Sequence, residues 1–191
     1  MGASQIWWRP STLPELGDRF DFLMRRFVLD CPASIRSGKN KTRRYEPVSK
    51  RGVSFKERGI RSSLLNTVRA QMKQILPNKG CYIKLHTNGD TAQAVYATRM
   101  LGMKDENFNL IIFRERSDMS DPEAIYYYIR NAFAHVSFEV RSTRHGNVYL
   151  LESAKKRNVN ARMRLSETAM MDLVRIMDLT SGDLRALQRR R

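Results

Sequence analysis

Asp121-Pro-Glu-Ala-Ile-Tyr-Tyr-Tyr-Ile-Arg-Asn-Ala-Phe-Ala-His135 is the stretch on which the reading of this chain turns. Asp121 is a candidate N-cap, Pro122 suits the first helical position, and Glu123 falls in the first turn. Ile125, Tyr128, Ile129, Ala132 and Val136 recur at helical spacing and predict one buried stripe. At about 100° per residue, Arg130 and His135 stand roughly 140° apart on the opposite side, with Tyr127, Asn131 and Ala134 between them. Such a helix is expected to meet something on both of its sides.

Working outward, apolar periodicity predicts further helices over 18–29, 61–76 and 166–178. Phe20, Leu23, Met24, Phe27 and Val28 share one face of the first. Leu64, Leu65, Val68, Met72, Ile75 and Leu76 form the stripe of the second, and Met170, Leu173, Val174 and Met177 that of the last. Ser137–Val140 and Asn147–Leu150 flank a basic turn with His145-Gly146 and suggest a hairpin. Between 81 and 113 a short strand, the turn signal Asn88-Gly89, a helix from Thr91 and the run Leu110–Phe113 follow one another; that run fits strand or helix. Together these predict one domain over 1–191 that is mainly α, a helical bundle with a small β-hairpin or short β insertion.

Charge sets the second expectation. The chain carries a formal net charge of +16 with 41% hydrophobic residues, enough apolar content for a core. A field of that sign favours nucleic acid or another anionic partner. Residues 36–61 hold ten Lys or Arg against Glu46 and Glu57, and read as a basic loop with Tyr45 and Phe55 interleaved. Lys39, Lys41, Arg43, Arg44, Lys50 and Arg51 are its candidate RNA contacts; Lys155, Lys156 and Arg157, also candidate contacts, form a second basic cluster with Arg162 and Arg164. The competing reading is a solvated linker kept extended by its charge. No run approaches transmembrane length and no signal peptide is legible, so a cytoplasmic protein without membrane attachment is expected.

Several chemistries find no support. There is no GxGxxG and no P-loop. Cys31, Cys81, His86, His135 and His145 show no metal-ligand spacing, so neither metal nor cofactor is expected. What remains is Arg130-x4-His135, in the wording Ile129-Arg-Asn-Ala-Phe-Ala-His135, followed by the hairpin-like stretch and by Ala161-Arg-Met-Arg-Leu-Ser-Glu167 before a last amphipathic helix. Over residues 120–180 this resembles the HEPN family of helical ribonucleases, in a bacterial or plasmid-borne group, whose Arg-x4–6-His motif lies near the end of a long helix. One departure is Val136, where related motifs often carry Gly after the His. The resemblance implies a HEPN-like helical bundle, an endoribonuclease acting as toxin or defence effector, a composite site across a homodimer, and a possible cognate antitoxin.

The residue types suit that chemistry. RNA carries its own nucleophile, the 2′-OH, so a base, an acid and a cation suffice in principle. Histidine, with an ordinary pKa of about 6.5, serves either proton role. Arginine grips phosphate oxygens with two donors. Arg130, Asn131 and His135 are therefore the candidate catalytic residues, with Asn131 orienting substrate or partner. One His cannot easily be acid and base at once, whereas two copies could, and Tyr127 and Ala134 become candidate dimer contacts. The bland alternative has Arg130 paired with Glu139 and His135 capping carbonyls at the helix end. A non-catalytic nucleic-acid-binding or dimerising module is the competing function.

Overall fold

Val159, Ala161, Met163 and Leu165 are buried, while Asn160, Arg162 and Arg164 between them are half-buried. That two-residue period is a strand, and it overturns the expectation of a mainly α bundle. The computed structural model describes residues 17–37, 44–49, 51–76, 82–85, 108–155 and 158–190. Their order is α1 (Asp18–Leu29), β1 (Ser34–Ser37), β2 (Arg44–Pro47), α2 (Ser62–Gln74), β3 (Tyr82–Leu85), β4 (Leu110–Arg114), α3 (Asp121–Ala134), β5 (Phe138–Thr143), β6 (Gly146–Lys155), β7 (Asn158–Ser166), α4 (Glu167–Asp178) and α5 (Ser181–Arg189).

The strands build a five-stranded mixed sheet, ordered β3-β4-β7-β6-β5, and a separate β1-β2 ribbon. Among the described strands, β3 and β4 run parallel and the other pairs antiparallel. The fold is α/β, and the helical-bundle architecture implied by the HEPN resemblance is not the one observed. The expected hairpin is present, but β5 and β6 are its first two strands and β7 continues it. Leu110–Phe113 proves to be strand: all four residues are buried, because β4 is covered on both faces and needs no polar alternation.

The helices fall within two residues of the expected spans, and what differs is the capping. Ser120, not Asp121, caps α3: its hydroxyl accepts from the Glu123 N–H, and the Glu123 side chain accepts from the Ser120 N–H, a reciprocal capping box. Gly17 and Arg61 occupy the cap positions of α1 and α2, and neither makes a side-chain capping bond. Ser166 caps α4 as its sequence suggests. A second capping box, Thr180 with Asp183, starts α5, which helical period alone did not reveal.

α3 is central. It lies against β6, α1 and α2, so burial runs well beyond one stripe and takes in Glu123, Tyr126 and Phe133. The Tyr126 hydroxyl donates to the Leu173 carbonyl at 2.7 Å, tying α3 to α4. Phe20, Phe133, Phe138 and Tyr149 cluster where α1, α3 and the sheet meet, with Phe133 and Phe138 edge to face at 5.2 Å. Across the sheet, Glu152 and Arg162 pair on β6 and β7 at 2.6 Å with both side chains nearly buried. Arg162 and Arg164 are thus sheet residues rather than members of a free basic cluster; Arg164 donates to the Phe108 carbonyl.

The stretch expected to be a basic loop is also structured where it is described. Ser34–Ser37 and Arg44–Pro47 pair as an antiparallel ribbon. Phe55 and Ile60 are fully buried, and Arg58 donates to the Met177 carbonyl at 2.6 Å. The helix expected from Thr91 onward, the turn at Asn88-Gly89, His86 and Cys81 lie outside the described residues. Among the described residues no helix is long and apolar enough to cross a membrane.

Candidate active site at the end of α3

α3 ends in a six-residue closure. The Ser137 N–H reaches back to the Ala132 carbonyl at 2.8 Å and the Val136 N–H to the Phe133 carbonyl at 3.1 Å, the paired bonds of a Schellman motif. His135 is the C-cap, its own N–H bonded to the Asn131 carbonyl at 3.0 Å. The motif requires a left-handed residue next, and Val136 takes it at φ +53°. Val136 was expected on the buried stripe; instead it is 65% exposed, because the chain has already turned away from the helix. A β-branched residue in this region is strained, so the closure holds without the Gly that usually makes it cheap.

His135 and Asn131 open into a cleft of about 320 Å³ between α3 and the ends of β6 and β7. Arg116, Tyr127, Tyr128, Ser153, Lys155 and Asn160 complete most of its wall. The register of β6 on β7 slips between Ser153 and Ala154, and the resulting irregularity lies in the cleft wall. Arg116 grips Asp118 through two bonds, 2.9 and 2.6 Å, and its guanidinium stands 4.6 Å over the Tyr127 ring. The Tyr128 hydroxyl donates to the Arg114 carbonyl at 3.0 Å, and burial pushes its pKa up to about 12. Tyr128 therefore stays protonated near neutrality and serves as wall, not base. Lys155 is exposed at the rim.

Arg130 is placed differently from expectation. It is half-buried and does not line the cleft; its Nη1 donates to Asn131 Oδ1 at 3.1 Å, and its Nε is buried without a hydrogen-bond partner. The proposed ion pair to Glu139 does not form, since Glu139 accepts from Arg141 at 2.6 Å. Asn131 thus joins Arg130 on one side to the cleft of His135 on the other. Of the two expected dimer contacts, Ala134 is exposed beside His135, whereas Tyr127 is a cleft wall under Arg116.

Among the candidate RNA contacts, Lys155 is in the cleft, Arg51 is exposed, and Arg44 is the first residue of β2. Lys39, Lys41, Arg43, Lys50, Lys156 and Arg157 lie outside the described residues. Reading the sequence alone missed Arg116, Tyr128, Ser153 and Asn160. Only Asn160 had a signal, as the polar member of the Val159-Asn160-Ala161 alternation. Cys31 is buried and its thiol is pushed up to about 12 by desolvation, which leaves it unreactive as a nucleophile near neutrality. Among the described residues no three His, Cys, Asp or Glu side chains are grouped as a metal site. Compared with protein-family models, curated proteins and solved structures, the chain matches none.

Proposed function

We propose that the chain is a metal-independent endoribonuclease, and that His135 performs the proton transfer. One observation carries the reading: His135 and Asn131 share a cleft with the cations Arg116 and Lys155, which suits a phosphodiester held beside an imidazole. The local wording Arg130-Asn131-x3-His135 adds support, independent of the architecture around it.

The reaction is transesterification. His135 takes the proton of the 2′-OH, the 2′ oxygen attacks phosphorus, and the bond from phosphorus to the 5′ oxygen breaks. A proton delivered to that oxygen completes the step and leaves a 2′,3′-cyclic phosphate and a 5′-hydroxyl. The described cleft offers one imidazole, so the acid is His135 of a second copy. Exposed Ala134 and Val136 flank His135 and give that copy a small apolar seat. Lys155 and Arg116 meet the phosphate, and Arg130 acts through Asn131, which its guanidinium holds in orientation.

The test incubates purified protein and its His135→Ala variant with RNA in EDTA and analyses the product ends. Cleavage by the parent alone, with cyclic phosphate ends, supports the reading. Equal cleavage by both, or none by either across varied RNAs, overturns it. In the toxin or defence role that the resemblance implies, expression arrests growth in the cytoplasm, His135→Ala relieves the arrest, and a cognate antitoxin restrains it. A second reading, a non-catalytic RNA-binding module, draws on Arg130 lying outside the cleft. It predicts salt-sensitive RNA binding that His135→Ala leaves unchanged.

A further inference from the structure

A second cavity, about 280 Å³, lies at the opposite end of α3, beside Ser120 and Glu123. Its wall includes Tyr45 of β2, Lys56, and Arg61 before α2. Tyr45 is 41% exposed, and the Lys56 ammonium stands 3.3 Å from its ring centroid. The carboxylates in the wall are already engaged: Glu123 accepts from Ser34 and Ser120, and Asp118 from Arg116. Among the described residues neither Lys56 nor Arg61 enters an ion pair, so the charge left to a ligand is positive.

The two cavities are joined by one ion pair. Asp118 lines the first and Arg116 the second. From Ser120 to His135 the helix advances about 22 Å at ~1.5 Å per residue. That distance matches roughly six stacked nucleotides at ~3.4 Å each, and fewer in an extended strand. We infer that the Tyr45–Lys56–Arg61 cavity is a distal nucleotide subsite for single-stranded RNA, and that the strand runs over the surface segment Arg116-Ser117-Asp118, which lines both cavities, to His135. A base stacks on Tyr45, and the flanking phosphates meet Lys56 and Arg61. The inference rests on the ribonuclease reading for the direction of the strand, but not for its affinity.

The experiment uses the His135→Ala chain and measures Kd for a labelled single-stranded RNA trinucleotide and octanucleotide by fluorescence anisotropy. A trinucleotide is too short to bridge the two sites, so the octanucleotide binds more tightly. Tyr45→Ala is expected to reduce octanucleotide affinity about tenfold and to erase most of the gain with length. Tyr45→Phe, which retains the ring, keeps it, and Lys56→Ala reduces both the gain and the salt slope. A length gain that survives both Tyr45→Ala and Lys56→Ala overturns the subsite. Loss of the ribonuclease reading shows itself separately, as absence of cleavage by the parent chain with the length gain intact.

Discussion

Arg130 reaches the cleft of His135 only through Asn131, by a 3.1 Å bond from its guanidinium to the amide oxygen. Removing either partner should therefore damage the same function. Arg130→Ala and Asn131→Ala are each expected to lower kcat/KM for RNA by about 10²-fold, and the double variant to lose little more, since groups acting as a unit are not additive. Losses that multiply in the double variant would show two independent roles.

Val136 pays for its left-handed backbone with strain. Val136→Gly removes a penalty of about 1–2 kcal/mol and adds an unfolded-state cost of about 0.5–1 kcal/mol, so a net gain of about 1 kcal/mol is expected. Urea denaturation measures it. Cleavage should change little, because the Schellman bonds that set the His135 backbone are kept.

Glu152 and Arg162 form an ion pair that is almost dry. Glu152→Ala removes the carboxylate from a nearly buried guanidinium and should cost about 3–5 kcal/mol, whereas replacing both residues with Met should cost far less. Equilibrium unfolding of the parent and the two variants separates these outcomes, and equal losses in the single and double variants would contradict the argument.

Burial raises the Cys31 thiol from 9.0 to about 12. The folded state therefore favours the neutral thiol, whose contribution to stability is complete below pH 9 and is lost as pH climbs toward 12. Denaturation midpoints should fall across that window, and Cys31→Ala should flatten part of the fall. A slope unchanged by the substitution would assign the loss elsewhere, to buried tyrosines such as Tyr126, whose pKa also rises on burial.

The helices were legible because their apolar positions repeat and solvent takes the rest, as with Phe20, Leu23 and Phe27 on α1. The sheet was not, for reasons visible in single residues. β7 alternates cleanly, yet Arg162 and Arg164 sit at its polar positions and read as a basic cluster until Glu152 and the Phe108 carbonyl are seen to take their charge. β4 and the middle of β6 are buried on both faces, which removes the alternation that would mark them. In the site, Asn131 and His135 stood out because polar residues on a long apolar helix are conspicuous. Arg116, Tyr128 and Asn160 come from other elements, and only tertiary placement brings them to the same cleft.

The end of α3 is held from two directions: Ser137 donates to the last turn of the helix, and its carbonyl accepts from the Glu152 N–H of β6 at 2.9 Å. An added residue anywhere in 134–137 would break one ladder or the other. The far end of the same hairpin, the two-residue turn Arg144-His145, is exposed at the surface and lies outside that closure. A peptide tag or fluorophore should therefore be accepted at 144–145 and rejected near His135, which gives a way to label the chain while leaving its cleft unaltered.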